Sequence, residues 1–244
     1  MDQGLRQGRA AQSQILAALR LARRRAGWLN WPRESRRARR LTVQPTRWFL
    51  PQLSEREEGI ANGAAVRPSA LALIAVSQQL EAVGRFAGSQ LLGDLDDREL
   101  SRSLLFRRSA PDEVGLESLE LTAPAWAGCW GGINEAGVAV LVLEEFSGPG
   151  PRAALFAQDL LFRASETASG LSHLRSRVRY AGGSGALLIA DSRGEALRAD
   201  WIHGELDVSR IPTPARLPSA AQNAQLRIDL AARSIAFGGE VASL

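Results

Sequence analysis

The stretch AGCWGGINEAGVAVLVLEE, residues 127–145, holds the only cysteine of the chain and runs from a glycine-rich arm into an aliphatic strand. Asn134-Glu135-Ala136-Gly137 has the chemistry of a tight turn: asparagine caps it with its own side chain, and glycine supplies a positive φ. VAVLVLEE then reads as a buried strand, and AWAGCWGGI as the arm before the turn. Cys129 in that arm is a small, weakly polar residue that packs readily. The stretch therefore marks a fold, and the question of a nucleophile moves elsewhere.

Outward from the hairpin, the texture divides. On the N-terminal side, Gln12 to Trp28 reads as an amphipathic helix stopped by Pro32. RESRRARRLTVQPTRWFLPQ follows as an irregular or short-helix connector. A second helix has Pro68 near its start and the pattern ALALIAVSQQLEAV behind it. From Ser89 the pattern changes to short apolar runs, with SQLLGDL, SLLFR and LESLELT as strands. Residues 151–177 read as helical with a break near Gly170. ALLIADSRGEALRADW is a hairpin turning at residues 192–195, and Gly204 marks a further turn before LDVS. RIPTPARLPSAAQNAQLR fits no element. Strands clustered centrally, with helices at the ends and middle, predict an α+β fold, layered α/β/β/α.

Forty-five per cent of the 244 residues are hydrophobic, enough for a good core. One cysteine excludes a disulfide scaffold and a cysteine-based zinc site. His173 and His203 have no acidic cluster at ligand spacing, so no metal or cofactor is expected. All thirty basic residues are arginine. Without lysine there is neither Schiff-base chemistry nor a P-loop. No run is long and apolar enough for a membrane span, and no apolar signal core opens the chain, which predicts a soluble cytoplasmic protein. Residues 1–47 carry twelve arginines against Asp2 and Glu34, net +10, while the remainder carries net −6. Such asymmetry suits a nucleic-acid or anionic-membrane arm, or a helical layer whose basic face meets an acidic body. Trp28, Trp31 and Trp48 interleave with the arginines, but packing of a helical layer is the commoner use of tryptophan, so nucleic acid is disfavoured.

In order, four segments resemble the acyltransferase-like branch of the N-terminal-nucleophile hydrolases, relatives of acyl-coenzyme A:6-aminopenicillanate acyltransferase. GLRQGRAAQSQI is similar to the family's opening helix, and EREEGIANGAAVRPSALALIA to its GIA-x-GA segment. GGINEAGVAV resembles the G-x-NE-x-G hairpin, and ALLIADSRGEALRADWIHGELDV a later hairpin. The resemblance implies one domain over 1–244. Its parts are a basic helical layer at 1–53, a helical segment at 54–84, a sheet core at 85–210 with the insertion at 151–177, and a tail at 211–244. It also implies hydrolysis or transfer of a linear amide or acyl group, by a cysteine, serine or threonine exposed when the chain cuts itself. The freed amino group then serves as base.

Against that pattern, the chain lacks the nucleophile. A Cys-Thr or Cys-Ser pair should precede the strand LLGDLDD, yet EAVGRFAGSQ offers Gly84 or Arg85 near the position. The family's GRN-x-D reads Gly93, Asp94 and Asp96, and its TN element reads Thr213-Pro214. The candidate site residues are Asp96 as the family aspartate, Asn134 near the oxyanion region and Ser89 as a substitute hydroxyl, with Ser69 behind it. Asn134 and Asp96 also have plain turn-capping roles. No GxSxG elbow presents a serine to either histidine. The expectation is a catalytically degenerate binding or assembly protein with a possible protein partner. The alternative is an active amide hydrolase or acyltransferase that uses a nucleophile other than cysteine, acting on a small amide or acyl substrate.

Overall fold

A computed structural model of the chain describes residues 2–27, 30–78, 80–95, 103–110, 115–145, 150–180, 183–212 and 225–244. Its N-terminal third is helical: α1 (Asp2–Ala10), α2 (Gln12–Ala26), α3 (Trp31–Ala38), α4 (Gln44–Phe49), α5 (Pro51–Gly63) and α6 (Pro68–Ser77). The basic connector is no irregular linker. A π-helical turn, Arg39–Val43, joins α3 to α4, and the backbone stays helical throughout. The widened turn falls just before Pro45, whose ring and missing N–H would strain a regular α-helix.

The sequence segments read as the opening helix and the GIANGA element are α1 and α5, and they pack backbone to backbone. A Cβ on Gly4 would lie 2.3 Å from the Arg56 carbonyl oxygen, on Gly8 2.2 Å from that of Ile60, and on Gly63 2.2 Å from that of Leu5. Only glycine permits this approach.

Twelve strands follow among the described residues: β1 (Leu80–Ala87), β2 (Gln90–Leu95), β3 (Leu105–Ser109), β4 (Ser118–Thr122), β5 (Gly131–Asn134), β6 (Val138–Glu145), β7 (Ser184–Asp191), β8 (Ala196–Ile202), β9 (Glu205–Arg210), β10 (Leu226–Asp229), β11 (Ser234–Phe237) and β12 (Glu240–Ser243). Between β6 and β7 lie α7 (Ala153–Arg163) and α8 (Thr167–Val178). The break between these helices falls at residues 164–166, and Gly170 sits inside α8. The helix expected to run on from Pro68 ends at Ser77. LEAVGRFA is the strand β1, at full length, and the unassigned tail supplies three strands.

All pairings are antiparallel and fall into two sheets. The larger runs β3-β4-β5-β6-β7-β8-β9, the smaller β1-β2-β10-β11-β12. β1 is the corner. Its first residues pair with the end of β6, Leu80 with Glu145 and Glu81 with Glu144, and from Ala82 it pairs with β2.

β6 explains its own sequence. Val138 to Val142 are fully buried and Leu143 nearly so, because the strand is covered on both faces. The neighbouring glycines divide the work: a Cβ on Gly132 would lie 2.5 Å from Leu161 Cδ1 of α7, and one on Gly131 3.2 Å from Leu226 Cδ2 of the smaller sheet. Trp130, fully buried, donates from Nε1 to the Val142 carbonyl at 3.0 Å and meets Phe237 edge-on at 6.0 Å. Around β5 and β6, one side thus meets α7, and the other meets Leu226 of β10 and Phe237 of β11.

The N-terminal helices join the helical side. Arg163 Nη2 reaches Gln52, Arg177 Nη1 donates to the Phe49 carbonyl, and Arg56 lies 5.4 Å over the Phe162 ring. The smaller sheet makes its main contacts with strands, and Val83 and Val241 on it are exposed. The chain is therefore α+β, a mix of helices and antiparallel sheet.

Candidate functional site

Of the two positions expected near a nucleophile, Gly84 packs inward and Arg85 turns to the other face of β1; Gly93 stands at the family's arginine position. Gly84 of β1 and Gly93 of β2 pair directly and face the larger sheet. A Cβ on Gly84 would stand 2.3 Å from Leu143 Cδ2, and one on Gly93 2.9 Å from Leu141 Cδ2. Arg85 points to the opposite face, where Nη2 pairs with Asp94 Oδ2 at 3.0 Å. Ser89 occupies the two-residue turn between these strands beside Gly88, at φ +62°; it is exposed, and its carbonyl accepts from Leu230 N. Asp96 and Thr213 lie outside the described residues.

Asn134 is fully buried and fully engaged. Nδ2 donates to the carbonyls of Leu161 at 3.0 Å and Ala164 at 2.7 Å, and Oδ1 accepts from Val138 N at 2.9 Å. Both amide hydrogens close the end of α7, which leaves neither for an oxyanion. Gly137 takes φ +83°, as the turn requires. Cys129 is fully buried, its N–H bonded to the Ala154 carbonyl. Burial pushes its thiol well above the ordinary range, with the Glu120 carboxylate adding to the rise. Such a thiol is inert. Ser69 accepts at its carbonyl from Ser35 Oγ, His173 is half-buried on α8, and His203 is an exposed turn residue at φ +50°.

What the fold does assemble is a polar centre between β3, β4, α1 and α7. Arg107 of β3 faces Glu120 of β4 in register, with Nε donating to Oε2 at 2.5 Å. Its remaining hydrogens reach Gln7 Oε1, Gln158 Oε1 and the carbonyls of Trp126, Ala127 and Gly128, at 2.6–3.0 Å. Gln7 Nε2 also holds the Pro124 and Trp126 carbonyls, and Thr122 Oγ1 that of Gly128. Burial alone would raise the Glu120 carboxyl. The guanidiniums of Arg107 and Arg56, with hydrogen bonds from Ser118 and Gln158, instead carry it below the ordinary carboxylate range. In SLELT the polar residues face this centre. They sit on the buried side, where a strand of that alternation would ordinarily turn them to water.

In front of the centre, α1 and the edge strand β3 enclose a groove of about 460 Å³, walled by Leu105, Phe106 and Ala10 and edged by Gln3, Gln14 and Arg108. That volume suits a small molecule. Arg107 and Gln7 are saturated, so the groove offers Gln14, the guanidiniums of Arg6 and Arg108 and an apolar wall rather than a reactive group. Among the described residues, no cluster of histidine, cysteine and carboxylates is set to hold a metal.

A second, half-buried pair ties the helices to the body. Burial pushes the Glu57 carboxyl of α5 up to about 7, against the pull of Arg152. Burial likewise lowers Arg152 to about 10, against Glu57. Arg152 lies 4.9 Å over the Trp126 ring and donates to the Gln78 carbonyl, while Trp126 Nε1 donates to Gln78 Oε1.

No known family matches the chain, and no curated protein does. Among solved structures, penicillin V acylase from Agrobacterium tumefaciens is similar over 54% of this chain and 49% of its own, at 17% identity and a TM-score of 0.37. The chain spans about half the length of that protein. The likeness is distant and partial, and function is read from this chain's own residues.

Proposed function

We propose that the chain is a non-catalytic relative of the acyltransferase-like N-terminal-nucleophile hydrolases and acts as a binding or assembly protein. The observation that carries this reading is the packing of Gly84 against the Leu141 and Leu143 side chains, where a residue larger than glycine would have to displace a leucine methyl. A nucleophile must be reachable by substrate and have a base beside it. Cys129 fails on reach, and its raised thiol fails on ionisation. The α1–β3 groove supports binding of a small amide or acyl ligand without turnover. A single free thiol and no disulfide suit a cytoplasmic protein.

The second reading, an active amide hydrolase, rests on Ser89, whose exposed turn position a substrate can reach. A panel of chromogenic acyl anilides separates the two. The expected result is no release above the buffer rate, for the parent chain and for Cys129→Ala alike. Turnover that Ser89→Ala abolishes would establish the second reading.

A further inference from the structure

The helical rod from Trp31 to Phe49 turns a charged face outward that the fold does not use. Its buried side consists of short residues, Ser35, Ala38, Thr42 and Thr46. Its outer side exposes arginine at positions 33, 36, 37, 39, 40 and 47. Arg33, Arg36, Arg40 and, past Gln44, Arg47 recur at helical spacing along one line. Each step rises about 5–6 Å. Glu34 is the rod's single acid, 3.8 Å from Arg37. Among the described residues, Arg33, Arg39, Arg40 and Arg47 make no ion pair.

The line ends at Trp48, which is 78% exposed. Next to it Phe49 stacks on Tyr180 of the α8 terminus at 4.2 Å and 10°. The Arg179 guanidinium lies 4.8 Å over the Tyr180 ring, which is itself 41% exposed. Arg177, which also approaches Asp159 at 3.8 Å, donates to the Phe49 carbonyl and so fixes the two segments together. Trp31, by contrast, is half-buried with Arg23 4.3 Å over its ring. Packing accounts for Trp31 and not for Trp48.

We infer that this surface binds single-stranded nucleic acid. The arginine line follows the phosphate backbone, and the exposed Trp48 ring at its end gives an unpaired base a face to stack on. A duplex would satisfy the arginines and leave Trp48 without a base face. A helix that lies on a membrane turns an apolar face outward, whereas this rod turns guanidiniums outward and has Trp48 alone to insert. An acidic protein would pair with the arginines and make no use of the ring. The surface is separate from β1 and β2, so its failure would leave the reading above in place.

Fluorescence anisotropy of the full chain, with a labelled mixed-sequence strand of about 20 nucleotides as DNA and as RNA, tests this. The matching duplex and phosphatidylserine-containing vesicles serve as competitors. Either strand should bind more tightly than the duplex, and the log affinity should fall with log salt at about 0.7 per arginine contact, near −3 for four. Trp48→Ala should weaken strand binding about tenfold and leave the salt slope alone. Arg40→Gln with Arg47→Gln should flatten the slope by about 1.4. Both variants alter exposed side chains, and their melting curves should match the parent. Preference for duplex or vesicles, no strand binding at low salt, or strand binding indifferent to Trp48→Ala would each overturn the assignment.

Discussion

Glu120 and Arg107 show how a single residue pair decides what the hairpin region does. Glu120 is fully buried and accepts from Arg107, Ser118 and Gln158, so its charge is compensated on every side. Removing one partner of such a pair leaves an uncompensated charge in the interior and costs about 3–5 kcal/mol. Arg107→Ala is therefore expected to lose about that much in urea unfolding. A double replacement, Arg107→Met with Glu120→Leu, should recover most of it. Loss unchanged by the second substitution would mean that the loop 123–130, which Arg107 also holds, carries the energy instead. Asn134 and Gly137 were legible in the sequence because turn chemistry is local. The Arg107–Glu120 pair was not, since its partners are thirteen residues apart in chain and meet only once β3 and β4 are in register. A carboxylate inside LESLELT was the available signal, and its alternation pointed to a wet face that the fold buries.

Among the elements, α1 and α5 are held by glycine. Ala is the better helix former by about 1 kcal/mol, so propensity alone predicts that Gly8→Ala stabilises. The Ile60 carbonyl 2.2 Å from the new Cβ belongs to a rigid helix and has nowhere to go. We expect Gly8→Ala to lower the unfolding free energy by about 1–3 kcal/mol, the usual cost of overpacking. A rise in melting temperature would show that the helices can separate freely. These two segments were picked out by resemblance, and their glycines explain why the residue types matter. The boundary between α6 and β1 was less legible. ALALIAVSQQLEAV keeps a helical apolar period past Ser77, and only pairing with β2 and β6 draws Leu80 onward into a strand. For the same reason β10–β12 were missed: four-residue strands carry little periodicity, and the sheet they complete supplies their order.

For the whole molecule, charge sets a stability window. The carboxyls of Glu120, Asp191 and Asp229 are held below the ordinary range, the last two by backbone and side-chain hydrogen bonds that outweigh burial. Their contribution is present above about pH 4 and is lost as pH falls through their folded values. Glu57 works in the opposite sense. Its folded value near 7 exceeds the unfolded one, so its contribution is complete below about pH 4 and is lost as pH rises through 7. Stability should therefore peak near pH 4–5 and fall by about 1–2 kcal/mol as pH rises through 7, the shift being discounted for a partly exposed residue. In denaturant titrations across pH, Glu57→Gln should flatten the alkaline limb and leave the acid limb alone. A parallel curve would place the alkaline loss elsewhere. Among the described residues no single helix is long and apolar enough to cross a membrane; the pair that comes nearest, α5 with α6, bends by 105°. The central claim is the proposal that the chain has no working nucleophile and does not cut itself. The intact mass of the purified chain tests this most directly. A single 26.3 kDa species that does not change on incubation is the predicted result. Two fragments cut near residues 80–90, adding up to that mass, would contradict it.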